Sequence, residues 1–314
     1  MKVLLMFVIL KFLIISCFQS KQETAEMAGL NKKPTVLATT NVVADLLRQL
    51  LPDSVTLEVL MEAGVDPHLY QAKPSDLKKI RNADLVVYIG LKLEGRLDQV
   101  LSELQKSRPD SVLELTEKLD RAGLLKLSDD SEEYDPHMWF DVALWSSCAR
   151  ALERALCQKY VDLCEEVKNN SMIYLKALNE LDVWLKEKVL EIQKPQRVLI
   201  TSHDAFRYFG RAYGFEVRGL QGISTSSEAS VADVKNLVSF IKSRKIRAVF
   251  VESSVSAKAI ERLGQDAGVK IGAELFSDSL GQKNEWRMGY DTSTYVGMMK
   301  YNTSAIVESL RLKE

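Results

Sequence analysis

Histidine is scarce in this chain, at three of 314 residues, and its four cysteines form no CxxC pair. The missing pair excludes the zinc ribbon and the dithiol redox site, which both need closely spaced thiols. Neither sign of charge is in surplus: 42 Lys and Arg stand against 43 Asp and Glu, a formal net charge of −1. Without a broad basic surface to neutralise a phosphate backbone, a nucleic-acid partner is not expected. HExxH and GxSxG are absent too, so no motif brings a general base or a serine nucleophile into register with a reacting group. Glycine and proline are missing from the whole stretch between Pro136 and Pro195, far longer than a usual helix and suited to two successive ones.

Apolar residues make up 46% of the chain, enough for two domains with cores of their own. At the N-terminus, MKVLLMFVILKFLIISCFQSK places Lys2 before an apolar stretch that ends in Ser16 and Cys17. This reads as an export signal. It is shorter than the roughly 20 apolar residues of a spanning helix, and Lys11 interrupts it. Ile14, Ile15, Ser16 and Cys17 resemble a bacterial lipobox, in which acylated Cys17 would tether the mature protein. Ordinary cleavage with a soluble product is the alternative. Residues 1–17 are therefore taken as signal and lipobox, and the polar, unpatterned segment 18–34 as a tether.

From Thr35 onward, strand-like runs alternate with helical ones. TVLATT, VTLEVLM and ADLVVYIG read as strands, the last at residues 83–90 and apolar enough to be buried on both faces. RVLITS, FEVRGL, IRAVFVE and VKIGAEL repeat the alternation after Pro195. Such alternation predicts an α/β fold with mainly parallel sheets flanked by helices. Between the two sets, Tyr174, Leu178, Leu181, Leu185, Val189 and Ile192 form one apolar stripe on a long helix from about Asn169 to Gln193. The expected organisation is an N-terminal lobe at 35–165, a connecting helix at 166–194 and a C-terminal lobe at 195–314. Ser230 and Asp233 form a capping box before one helix, a second helical stretch spans Asp204 to Tyr213, and a last helix is predicted from Thr294 to Leu312. Cys148, Cys157 and Cys164 fall in the helical stretch. On one continuous helix Cys157 and Cys164 would lie about 10 Å apart, beyond disulfide reach, so three buried free thiols are expected.

Each histidine sits beside a turn-forming Pro or just after a predicted strand: His68 in GVDPHLY, His137 in EYDPHMWFD and His203 in LITSHDAF. The tripeptide Asp-Pro-His occurs twice, and Pro67 and Pro136 stiffen the approach to His68 and His137. Ligands in open α/β sheets collect at the carboxyl ends of strands, where His68 and His203 are predicted to lie. Asp278, in ELFSDSLG, follows VKIGAEL in the same manner. A lone histidine is usually a core or surface residue, and an aspartate after a strand is usually a turn former. Here no histidine is spent on a helix face, and that joint pattern points to one task. Three imidazoles and a carboxylate suit a divalent transition metal, four ligands being a closed tetrahedral set for zinc, with manganese wanting more oxygen. If Asp278 were a base instead, the three histidines alone would suit a zinc hydrolase. Glu252, in VFVESS, ends a strand near the same cleft and is expected either to hold a ligand ring or to serve the strand end.

The segments GVDPHLYQAKPSDLKKIRNADLVVYIGLKLE, YDPHMWFDVALWS, ITSHDAFRYFGRAYGFEVRGLQGISTSSEAS, FVESS and ELFSDSLG resemble the metal-specific solute-binding proteins of bacterial ABC importers, the TroA-type zinc and manganese lipoproteins of cluster A-I. The resemblance covers nearly all of the chain from Thr35. It implies two α/β lobes joined by one long backbone helix, with a single metal ion per chain held between them by His68, His137, His203 and Asp278. It also implies an exported, lipid-anchored monomer that is no enzyme and passes its metal to an ABC permease. Manganese-specific members often carry Glu at the position of His203, and zinc-specific members often carry a His-rich loop before the second histidine. The corresponding KLSDDSEEYD is acidic but lacks histidine. The metal is therefore expected to be zinc or manganese, with iron also within range. A surface adhesin with an incidental metal is a further reading.

Overall fold

The computed structural model describes residues 33–311; the expected signal, Cys17 and most of the tether lie outside them. β1 (Thr35–Thr40) is almost wholly buried, and its last residue caps α1 (Asn41–Leu50): the Thr40 hydroxyl accepts the Val43 N–H at 3.3 Å. There follow β2 (Thr56–Met61), α2 (Pro74–Asn82), β3 (Leu85–Tyr88), α3 (Asp98–Ser107) and β4 (Val112–Glu114). These four strands form one parallel sheet in the order β2-β1-β3-β4. Its inner strands β1 and β3 bury Val36, Leu37, Ala38, Leu85, Val86 and Val87, as strands covered on both faces must.

The stretch without Gly or Pro forms two helices, α4 (Val142–Lys159) and α5 (Cys164–Lys188), separated by a 3₁₀ turn at Val161–Leu163. Asp141 starts the first, its carboxylate accepting the Ala143 N–H at 3.0 Å. The turn corrects the expectation of free thiols at Cys157 and Cys164. Because the chain doubles back there, their Cα atoms lie 4.4 Å apart and the two form a disulfide. Cys148 is a buried free thiol, as expected. Helix α5 begins five residues before its predicted start and ends in a 3₁₀ turn at Val189–Glu191. Its predicted stripe of Tyr174, Leu178, Leu181 and Leu185 is buried, and the Trp145 indole N–H donates to the Tyr174 hydroxyl at 3.0 Å, tying α4 to α5. Over 25 residues, at 1.5 Å each, α5 is about 37 Å long.

After α5 come β5 (Val198–Thr201), α6 (Arg207–Tyr213), β6 (Glu216–Gly219), α7 (Val231–Arg244), β7 (Ala248–Val249), α8 (Lys258–Ala267) and β8 (Lys270–Ile271). The capping box expected at Ser230 and Asp233 is present at the start of α7. β5 pairs with β6 and β7 with β8, all parallel, and a parallel bridge from Thr201 to Phe250 joins the pairs. The resulting order, β6-β5-β7-β8, repeats that of the first sheet. A short hairpin, β9 (Trp286–Arg287) and β10 (Tyr290–Asp291), leads into α9 (Tyr295–Leu310), which is buried nearly all round. α5 packs against both α1 and α9, so one helix spans the two α/β halves.

In both sheets the strand order reverses between the first and third strands, which opens a crevice at their carboxyl ends. The segments just past β1 and β3 bound it in one half; those past β5 and β7 bound it in the other.

Candidate metal centre

His203 stands two residues past β5, as expected. Gly219, at the end of β6, passes so close beneath that a Cβ there would meet the Asp204 nitrogen at 2.4 Å and the His203 carbonyl carbon at 2.6 Å. His68 lies seven residues past β2, in a turn closed by Asp66, whose Oδ1 accepts the His68 N–H at 2.9 Å. Its carbonyl oxygen rests where a Cβ on Gly95 would come within 2.4 Å, and Gly95 adopts φ +53°. The segment carrying Gly95 is held by Glu94, a fully buried carboxylate that accepts the Ile89 N–H at 2.8 Å, the Gly90 N–H at 3.2 Å and the Thr39 hydroxyl at 2.9 Å. Burial raises Glu94 to about 7.

His137 follows no strand. It repeats the turn of His68: Asp135 Oδ1 accepts its N–H at 3.0 Å. Asp278 sits three residues past Leu275, which bridges to Glu252. Two asparagines pin its loop. Asn302 accepts the Phe276 N–H at 3.0 Å and donates to the Phe276 carbonyl at 2.7 Å. Asn41, from the first half, accepts the Leu280 N–H at 3.0 Å and donates to the Leu280 carbonyl at 3.0 Å.

These four loops converge. One donor atom from each of His68, His137, His203 and Asp278 lies within 4.8 Å of every other, and none of the four side chains is more than 7% exposed. His137 Nε2 is 3.3 Å from Nε2 of both His68 and His203. Asp278 Oδ1 is 3.2 Å from His137 Nε2, Oδ2 is 3.3 Å from His203 Nε2 and 4.0 Å from His68 Nε2. A tetrahedron of ligands at zinc–nitrogen bond lengths has edges of about 3.3–3.4 Å, so four of these five distances come close to it and the one between His68 and Asp278 is stretched. Neither Asp278 oxygen accepts a hydrogen bond of good geometry among the described residues. Buried acceptors without donors are costly, and a cation between them and the imidazoles removes that cost.

Carboxylates set the tautomers. Asp135 Oδ1 lies 2.8 Å from His137 Nδ1, and Glu252 Oε2 lies 2.6 Å from His203 Nδ1 while Oε1 accepts the His203 N–H at 2.8 Å. In the neutral ring the proton is therefore placed on Nδ1, which leaves the Nε2 lone pair facing inward for a metal. Burial pushes His68 down to about 4 against the pull of Asp278. Burial acts on His137 in the same sense, but Asp135 and Asp278 outweigh it and raise the ring to about 9. Glu252 and Asp278 likewise overcome burial to hold His203 well above the ordinary imidazole range. Burial alone would raise Asp278; His203 and His137 instead hold it well below the usual carboxylate range.

All four residues singled out in the sequence are thus brought together, and Glu252 stands against the His203 ring. Asp66 and Asp135 also touch the site, which their position two residues before a histidine did not by itself establish. Asp204, half-buried and beside Asp135, is raised to about 6, chiefly by burial. Glu94 and Asn41 carried no sequence signal: Asn41 acts on backbone 239 residues away, and Glu94 joins the Ile89 and Gly90 N–H groups just before it to the Thr39 hydroxyl, 55 residues distant.

Residues 36–309 match the family described as ZnuA, zinc-uptake complex component A, periplasmic. Over 288 residues, 90% of this chain and 91% of the relative, the sequence is 42% identical to the zinc-binding protein TroA of Treponema pallidum (strain Nichols). Over 281 residues, 88% and 89% of the respective chains, it is 37% identical to the manganese-binding lipoprotein MntA of Bacillus subtilis (strain 168). The solved structure of the periplasmic zinc-binding protein TroA from Treponema pallidum superposes with a TM-score of 0.83 at 41% identity, over 90% of this chain and 100% of that one.

Proposed function

Since the chain belongs to the ZnuA family of metal-uptake proteins, we propose that it binds one divalent transition metal outside the cytoplasm and delivers it to the permease of an ABC importer. His68, His137, His203 and Asp278 are the ligands. The observation that carries this is the convergence of four buried donors from four loops, with both Asp278 oxygens lacking any other donor among the described residues. The metal is cargo, and no reaction is performed on it. A hydrolase would hold its carboxylate aside as a base for bound water; Asp278 instead faces two imidazole nitrogens at 3.2 and 3.3 Å.

Three nitrogens and a carboxylate that can bind through one oxygen or two suit zinc and manganese, and iron is within the range of the same donors. The relatives named for zinc and for manganese support both. Residues 35–165 and 195–314 serve as the two lobes and 166–194 as the strut between them. The lipobox-like sequence ending at Cys17, together with a relative named as a lipoprotein, supports a lipid anchor at Cys17 that keeps the monomer near its permease.

Titration of the metal-free protein with zinc and with manganese tests the assignment. One ion per chain is expected, and His203→Ala is expected to lower zinc affinity by more than a hundredfold. Wild-type stoichiometry and affinity in that variant would remove His203 from the site.

A further inference from the structure

The three imidazoles are not held alike. His137 and His203 each have a carboxylate on Nδ1 and are fully buried. His68 has none on its Nδ1 among the described residues, keeps 7% exposure, and lies 4.0 Å from the Asp278 carboxylate, against 3.2 and 3.3 Å for the other two imidazoles. Its place depends on its loop. That loop meets the other half of the chain at two polar points: at its base the Gly64 N–H donates to Ser279 Oγ at 2.8 Å, and at its tip the Thr225 hydroxyl donates to Asp66 Oδ2 at 2.6 Å. The same Asp66 carboxylate holds the His68 N–H through its other oxygen. Beyond the tip contact lies a groove of about 590 Å³ lined by Asp66, Leu69, Thr225, Val255 and Arg262, which brings solvent to the outer side of the Thr225–Asp66 bond.

We infer that Thr225 is a positioning residue for His68, latching the loop of that ligand across the cleft, and that breaking the latch is the first step of metal release. The inference rests on reading the four residues as the metal site. The base of the loop stays tied through Gly64 to Ser279, so loss of the tip contact frees His68 while His137, His203 and Asp278 stay anchored by Asp135, Glu252 and Asn41. Thr225 itself is 8% exposed and touches no donor atom, so it acts through Asp66.

The test is the rate at which zinc-loaded protein gives up its metal to excess chromophoric chelator. Thr225→Val keeps the shape and removes the hydroxyl. Release is expected to accelerate ten- to a hundredfold, the effect of losing one hydrogen bond to a charged acceptor, while the melting temperature of the metal-free protein stays within about 2 °C of wild type. Thr225→Ser, which restores the hydroxyl, is expected to return the rate to within about threefold of wild type. Release from Thr225→Val at the wild-type rate, or equally fast release from Thr225→Ser, would overturn the latch; the second result would assign the effect to methyl packing. Failure of the wild-type chain to bind zinc at one per chain would instead overturn the metal site on which the latch depends. Should the valine variant fail to fold, Thr225→Ala in the same assay carries the same two outcomes.

Discussion

A carboxylate stands behind two of the three imidazoles, and its effect reaches beyond orientation. With Asp135 hydrogen-bonded to His137 Nδ1 and Glu252 Oε2 2.6 Å from His203 Nδ1, both rings are better electron donors to a metal than free imidazole. Glu252→Gln keeps the shape and removes the charge; zinc affinity measured by competition is expected to fall ten- to a hundredfold, and an unchanged value would reduce Glu252 to a strand-end support. The same carboxylates make binding a contest with protons. His137 is raised from 6.5 to about 9, so in the metal-free protein its proton adds stability that is full below about pH 6.5 and is lost as pH rises through about 9. Metal must displace that proton and the one on His203. Apparent affinity is therefore expected to fall between ten- and a hundredfold for each pH unit below 7, which calorimetry in buffers at pH 6, 7 and 8 will measure. The convergence of the three histidines was legible because histidine is so scarce and two of the three follow Asp-Pro. Glu252 was less so: 49 residues separate it from His203, and only the bridge between Thr201, at the end of β5, and Phe250, just past β7, brings them together.

At the scale of elements, the strand–helix alternation was readable because buried parallel strands are short apolar runs and long helices carry an apolar stripe. Their ends were less readable. IRAVFVE and VKIGAEL shrink to two-residue ladders at Ala248–Val249 and Lys270–Ile271, since pairing partners set strand ends more than local propensity does. The break between the two expected helices, at Val161–Leu163, has no position in the sequence for the same kind of reason: no Gly or Pro marks it, and tertiary packing together with the Cys157–Cys164 bridge holds it. A thiol count on unfolded, unreduced protein should find Cys148 free and Cys157 and Cys164 protected. Reduction is expected to cost about 2–3 kcal/mol, from the entropy of so short a loop, read as a lower midpoint in denaturant. Gly95 gives a second prediction at this scale. Its φ of +53° and the His68 carbonyl beside it leave no room for a Cβ. Gly95→Ala should shift the His68 loop and weaken zinc binding at least tenfold while the metal-free protein remains folded by circular dichroism.

For the whole molecule, the repeated strand order sets two crevices face to face, and the residues that close the gap come from both halves: His68 and His137 from before α5, His203 and Asp278 from after it. Composition and alternation were enough to anticipate two α/β halves and one long helix. They could not anticipate how densely the halves are stitched around each ligand loop. Asn41 clasps Leu280, Tyr208 donates to the Asp135 carbonyl at 2.9 Å, and Arg211 pairs with Asp141 at 2.9 Å. Such stitching fits a protein that holds its cargo with small movements rather than a wide hinge. Bound metal adds to the stitching, so its removal by chelator is expected to lower the melting temperature by several degrees.

The central claim is that one metal ion is bound by three imidazole nitrogens and the Asp278 carboxylate. X-ray absorption at the zinc edge, on protein loaded with one equivalent, tests it directly. The account predicts three imidazole ligands at about 2.0–2.1 Å and an oxygen at about 2.0–2.2 Å, the oxygen contribution changing in Asp278→Ala; fewer than three imidazoles, or a shell unaffected by that substitution, would contradict it.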